Sequence, residues 1–186
     1  MIPWNISHGN KEHILFAKQS GFKMDPSLRE ILWKQFGASI DMLENALVYC
    51  PDKLWDKDSK FWYIAYHSLF YLDYYLTVEP KKFLPPPPFT LSEFDPAGIM
   101  PDRVYSKDEL LAYLRFCRKK FHALITGLTN EGAMNRWVNE YKNYSILEIL
   151  LYNMRHVQHH VAQLNLLLRQ GINSAPNWVS QTKLSL

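Results

Sequence analysis

A chain of 186 residues, 47% of them hydrophobic, is long enough to bury one core and short enough to read as a single domain. Its net charge is +3 and its cations are scattered; the densest group, Arg115, Arg118, Lys119 and Lys120, reads as a short solvated helix face, so no nucleic-acid partner is expected. No apolar run approaches the roughly 20 residues that span a bilayer, and the opening residues lack the basic start and apolar stretch of a signal peptide, so no membrane partner is expected either.

The N-terminal stretch, with His8 and His13, shows no regular pattern, and both histidines are expected in solvent. The first helix is expected to open at Asp25-Pro26, an N-cap residue followed by proline at the first helical position. Leu28, Ile31, Leu32, Phe36, Ile40, Leu43 and Leu47 then recur near the helical period, and Cys50-Pro51 ends the run. A second helix is expected from about Asp58 to Thr77. It is apolar almost all round, which predicts burial on most sides. His67 stands in its middle, sharing a face with Tyr63, Ile64, Phe70, Tyr71 and Tyr74.

A long connection follows, about Glu79 to Tyr105, with the run Pro85 to Pro88. It reads as a stiff polyproline crossover along the helices; a lid over a site, or an arm on a second subunit, is the sharper alternative. The third helix opens at Ser106 with Glu109 three residues on, a capping box, and carries Leu110, Leu114, Cys117, Phe121 and Leu124 up to Gly127. The fourth opens on a second box, Ser145 and Glu148. Its stripe is Ile146, Leu150, Met154, Val157, Val161, Leu164 and Leu168, with Gly171 placed as a left-handed cap. No strand pattern is visible. The tail carries Pro176-Asn-Trp178, which either packs back or frays. The whole is an all-α chain read as a four-helix bundle with a long Pro-rich crossover between helices two and three. The apolar second helix also makes a homodimer an expectation.

Chemistry concentrates on histidines. His156 and His160 are one turn apart, about 40° on one helix face, beside the apolar stripe. Such a pair can hold one metal ion, and equally can be two neutral imidazoles hydrogen-bonded in a core. His159 points away from the stripe, and His122 has no partner at a useful spacing. His67 alone reads as a core histidine served by a hydroxyl such as that of Tyr63 or Tyr71. Cys50 and Cys117 lie far apart and form no Cys-x-x-Cys pair, which reads as structural thiols in a reduced, cytoplasmic protein.

A histidine in mid second helix, His156-x-x-x-His160 on the fourth, and Gln163 three residues later resemble the DinB-like superfamily of metal-dependent enzymes. The resemblance spans about residues 25–178 and includes the helix order, the long connection and the Pro-x-Trp element. Where that family often has Arg-Gly before the Gln, this chain has Val161-Ala162. The resemblance implies a divalent metal held by His67, His156 and His160, with zinc or nickel first and iron or manganese also compatible. It further implies a metal-dependent transferase or hydrolase acting on a small-molecule substrate, a low-molecular-weight thiol among the candidates. Tyr63, Tyr71 and Gln163 are the expected substrate-binding residues. The alternative is a non-catalytic metal-binding or stress-related helical protein.

Overall fold

The computed structural model describes residues 24–186. The expectation for His8 and His13 lies outside them. Helix α1 (Pro26–Tyr49) starts where the sequence places it: the Asp25 carboxylate accepts from the amides of Ser27 and Leu28. From Leu32 onward its stripe is buried, but Leu28 and Ile31 remain exposed. A single turn, α2 (Asp52–Trp55), precedes α3 (Phe61–Tyr75). The start of α3 at Phe61 rather than Asp58 has a backbone cause. Lys60 sits in the left-handed region at φ 46°, which no helix can incorporate.

The connection after α3 is no bare polyproline rod. It makes two short 3₁₀ turns, Pro80–Lys82 and Ser92–Phe94, and lays its aromatic residues on the helices. Phe89 stacks on Tyr113 with centroids 4.3 Å apart, and Phe83 and Phe94 meet Phe70 edge-on at 5.1 and 4.9 Å. The apolar circumference of α3 is thereby covered within one chain.

Helix α4 (Lys107–Gly127) carries the full capping box: Ser106 Oγ accepts from the Glu109 amide, and the Glu109 carboxylate accepts from the Ser106 amide. A turn of helix, α5 (Asn130–Met134), leads into an antiparallel pair, β1 (Arg136–Val138) and β2 (Asn143–Ser145). The sequence showed no strand, because three residues are too few to display a period of two. The pair holds by burying Trp137, whose indole N–H donates to the Thr77 carbonyl.

Helix α6 (Ile146–Ile172) is capped by Ser145, whose hydroxyl accepts from the Glu148 amide. The left-handed cap is Asn173 at φ 55°, not Gly171. Gly171 lies inside the helix for a packing reason: a Cβ there would stand 2.6 Å from Leu54 Cδ1. The tail returns along α1. The Thr182 amide donates to the Lys34 carbonyl and Trp33 Nε1 donates to the Leu184 carbonyl, while Trp178 stays exposed.

The four long helices α1, α3, α4 and α6 carry most of the core; α1 and α3 each pack against both α4 and α6. Two polar links set their register. Asn153 on α6, fully buried, donates to the Leu72 carbonyl on α3 at 3.0 Å. Asp73 on α3, also buried, receives Tyr113 Oη at 3.0 Å and Lys120 Nζ at 2.5 Å, both from α4. Burial raises the Asp73 pKa against the pull of Lys120, so the carboxylate depends on its partners. Among the described residues, no helix is long and apolar enough to cross a membrane.

Replacing Lys120 with Met leaves the Asp73 charge buried without its cation. Removing one partner of a buried ion pair costs about 3 kcal/mol or more. Urea unfolding of Lys120→Met is expected to show a loss of that order relative to wild type.

Candidate metal centre

His67 sits in mid α3, and His156 and His160 sit one turn apart on α6. These two helices pack together, and the Asn153 bond to Leu72 lies one turn before His156. One ligand nitrogen from each of the three histidines lies within 4.8 Å of the other two. His156 Nε2 and His160 Nε2 are 3.1 Å apart, and the His67 ring stands 5.5 Å from that of His156 and 4.7 Å from that of His160. Nitrogens at about 2.0–2.1 Å from a tetrahedral ion lie about 3.3 Å apart, so the His156–His160 pair is close to the spacing of a shared ion.

The outer ring nitrogens decide which way the lone pairs face. His67 Nδ1 meets Glu93 Oε2 at 2.6 Å, and a carboxylate can only accept, so Nδ1 carries the proton. His160 Nδ1 meets Gln163 Oε1 at 2.7 Å and donates likewise. In the neutral form of each ring Nε2 is then left bare. Donation of the far N–H to a carboxylate or amide is the usual support of a metal-ligating imidazole. His156 differs. Its Nδ1 is buried without a hydrogen-bond partner among the described residues. With its Nε2 facing His160 Nε2, the two rings can share a single proton between those atoms, or none. The crowded Nε2 pair is what a cation in the middle would relieve.

The electrostatics agree. Burial, reinforced by His160 and His67, pushes the His156 pKa down to about 3. Burial pushes His160 down to about 4, against the opposing hydrogen bond from Gln163. Both imidazoles are therefore neutral at pH 7, the state a metal ligand must have. Glu93, its side chain 4% exposed, adds one negative charge to the outer shell.

Beside the histidines opens a cavity of about 610 Å³, lined by His67 and His156, by Tyr71, Tyr75 and Tyr152, and by Lys142 among others. Tyr71 is where the sequence put it: its ring packs 4.8 Å from His67, and its hydroxyl donates to the Glu93 carbonyl at 3.2 Å. Burial pushes its pKa up to about 12, so it stays a phenol. Tyr63 is half-buried outside the cavity lining, where burial and the Glu93 charge also push its pKa up to about 12. Gln163 faces His160 rather than the cavity, so its amide holds a histidine. His159 is exposed, with its ring against His160, and His122 lies edge-on to Trp33, remote from the triad in its contacts. Cys50 and Cys117 are buried free thiols, and burial pushes Cys50 up to about 11.

The model of the DinB superfamily matches residues 35–164, a span that holds all three histidines and Gln163. The chain belongs to the DinB superfamily. No curated protein and no solved structure matches it. Within this DinB-superfamily chain, Glu93 is the site residue that sequence reasoning missed. It lies in the crossover, in a 3₁₀ turn with no helical period to flag it, and only folding brings it to His67.

The depressed imidazole values fix a pH dependence. Unfolded, a histidine takes its proton near pH 6.5. Folded, His156 does so only near 3 and His160 near 4. Between those values the unfolded chain binds more protons, so stability present above about pH 6.5 is lost as pH falls. In chelator-treated protein the urea midpoint is expected to drop from pH 7 to pH 5. The His156→Leu variant is expected to show a shallower drop.

Proposed function

We propose that this DinB-superfamily protein is a single-domain four-helix bundle that holds one divalent metal ion through His67, His156 and His160. We further read it as an enzyme, a metal-dependent transferase or hydrolase acting on a small molecule. The observation that carries the reading is the pairing of bare Nε2 atoms, turned inward by Glu93 and Gln163, with an adjoining cavity. A purely packed histidine cluster has no need of that cavity.

The donor set fits a borderline divalent cation. Three neutral imidazoles contribute no charge, and Glu93 contributes one negative charge at second hand. When bound, the ion supplies Lewis acidity to a water, a thiol or a carbonyl group entering from the cavity. The protein's own residues do the rest. Glu93 holds the His67 ring and keeps its proton on Nδ1. Gln163 does the same for His160. Tyr71 offers a protonated hydroxyl beside His67, and the tyrosine rings exclude water from the wall next to the histidines. A low-molecular-weight thiol is the candidate co-substrate of the transferase reading, and zinc or nickel the first candidates for the ion.

The test is elemental analysis of untagged protein purified without nickel resin. About one equivalent of divalent metal is expected in wild type, and none in His67→Ala, His156→Ala or His160→Ala. Chelator should lower the melting temperature of wild type and leave the three variants unmoved. No metal after reconstitution with zinc, nickel, iron and manganese would end the reading. Glu93→Gln should keep the site but weaken it, by about 10–100-fold in metal affinity, as measured by competition with a chelating dye.

A further inference from the structure

Lys142 is the one lysine or arginine among the described residues that line the cavity beside the histidines. It closes the β1–β2 hairpin tip, where Asn139 Oδ1 accepts from the amides of Tyr141 and Lys142 at 2.9 and 2.7 Å. Asn139 in turn donates to Tyr74 Oη at 3.1 Å, so the tip is anchored to α3. The Lys142 ammonium lies 5.0 Å from the Tyr152 ring centroid and 5.8 Å from that of Tyr75. It forms no salt bridge with any described carboxylate. The other acids on the lining do not neutralise it. Glu140 is exposed, Asp95 accepts from the Ala97 amide, and Glu93 gives Oε2 to His67 while its buried Oε1 has no partner among the described residues.

A half-buried ammonium held over ring faces with no counterion is a receptor for an anion. Tyr75 gives the geometry of what else is bound. Its ring is 5.8 Å from Lys142 Nζ and 5.9 Å from the His156 ring, so one aromatic wall joins the cation to the histidines. We infer that the cavity takes a small aryl-bearing carboxylate: the carboxylate pairs with Lys142, the aryl group lies along the tyrosine wall, and the remaining end faces the histidines. The inference names the substrate class of the proposed function and rests on that reading for the reacting end. The carboxylate contact itself needs only Lys142 and the rings.

Calorimetric titration with 3-phenylpropionate and its uncharged amide, 3-phenylpropanamide, separates the two. It is run on zinc-loaded and on chelator-stripped full-length protein, with zinc content measured alongside. Wild type is expected to prefer the acid by about tenfold or more in both metal states. Lys142→Met should bring that ratio near one while keeping the wild-type zinc content and melting temperature, and Lys142→Arg should retain the preference. The inference falls if wild type binds acid and amide equally, if the acid does not bind, or if Lys142→Met keeps the full ratio, as it would were the carboxylate held by zinc alone. Failure of wild type to take up zinc, nickel, iron or manganese would sink the metal reading instead. The acid-to-amide ratio of the stripped protein would still decide the role of Lys142.

Discussion

Helix α3 carries aromatic or aliphatic side chains around nearly its whole circumference, and no side of it can face water without cost. Two helices, α4 and α6, cover part of it. The rest falls to the crossover, whose Phe83, Phe89 and Phe94 close over Phe70, Tyr66 and Tyr74. That obligation shapes the site. Because the crossover must lie on α3, Glu93 arrives beside His67. Because α6 must lie on α3, His156 and His160 arrive on the other side. The buried polar links, Asn153 to Leu72 and Lys120 to Asp73, then pick one register out of the many that apolar packing would allow.

The same burial sets the chemistry. Imidazoles taken out of water resist protonation, and here three of them crowd together with their outer nitrogens tied or orphaned. Glu93 compensates from outside, and the cavity leaves the inner side open. The tyrosines nearest the histidines are kept as phenols by the same desolvation, so they act as donors and ring walls rather than as charges.

Much of this was legible in the sequence, for identifiable reasons. Capping residues have local signatures, so Asp25, Ser106 and Ser145 marked their helices to the residue. The His156–His160 pair was legible because a spacing of four on one helix is a local property, whereas His67 joined it only through the family resemblance. Three things were not. The hairpin was too short for a periodicity. Lys60 hides a left-handed turn behind an ordinary helix-forming side chain, so α3 was drawn too long. Glu93 and Lys142 belong to the site only through contacts made across the chain, and no local pattern distinguishes them from other surface charges. The contact of Gln163 with His160 was not legible either, because a sequence gives the face of a residue and not its partner.

The histidines also lie far apart along the chain, with α3, the crossover and α4 all intervening before α6. His67 and Glu93 leave the ribosome before His156 and His160. Closing so long a loop is a late step in folding. The cluster is therefore assembled only as α6 docks, and a nascent or truncated chain lacking α6 presents His67 without the other two members of the cluster. On the proposed reading, acquisition of the metal is in this way tied to the docking of α6.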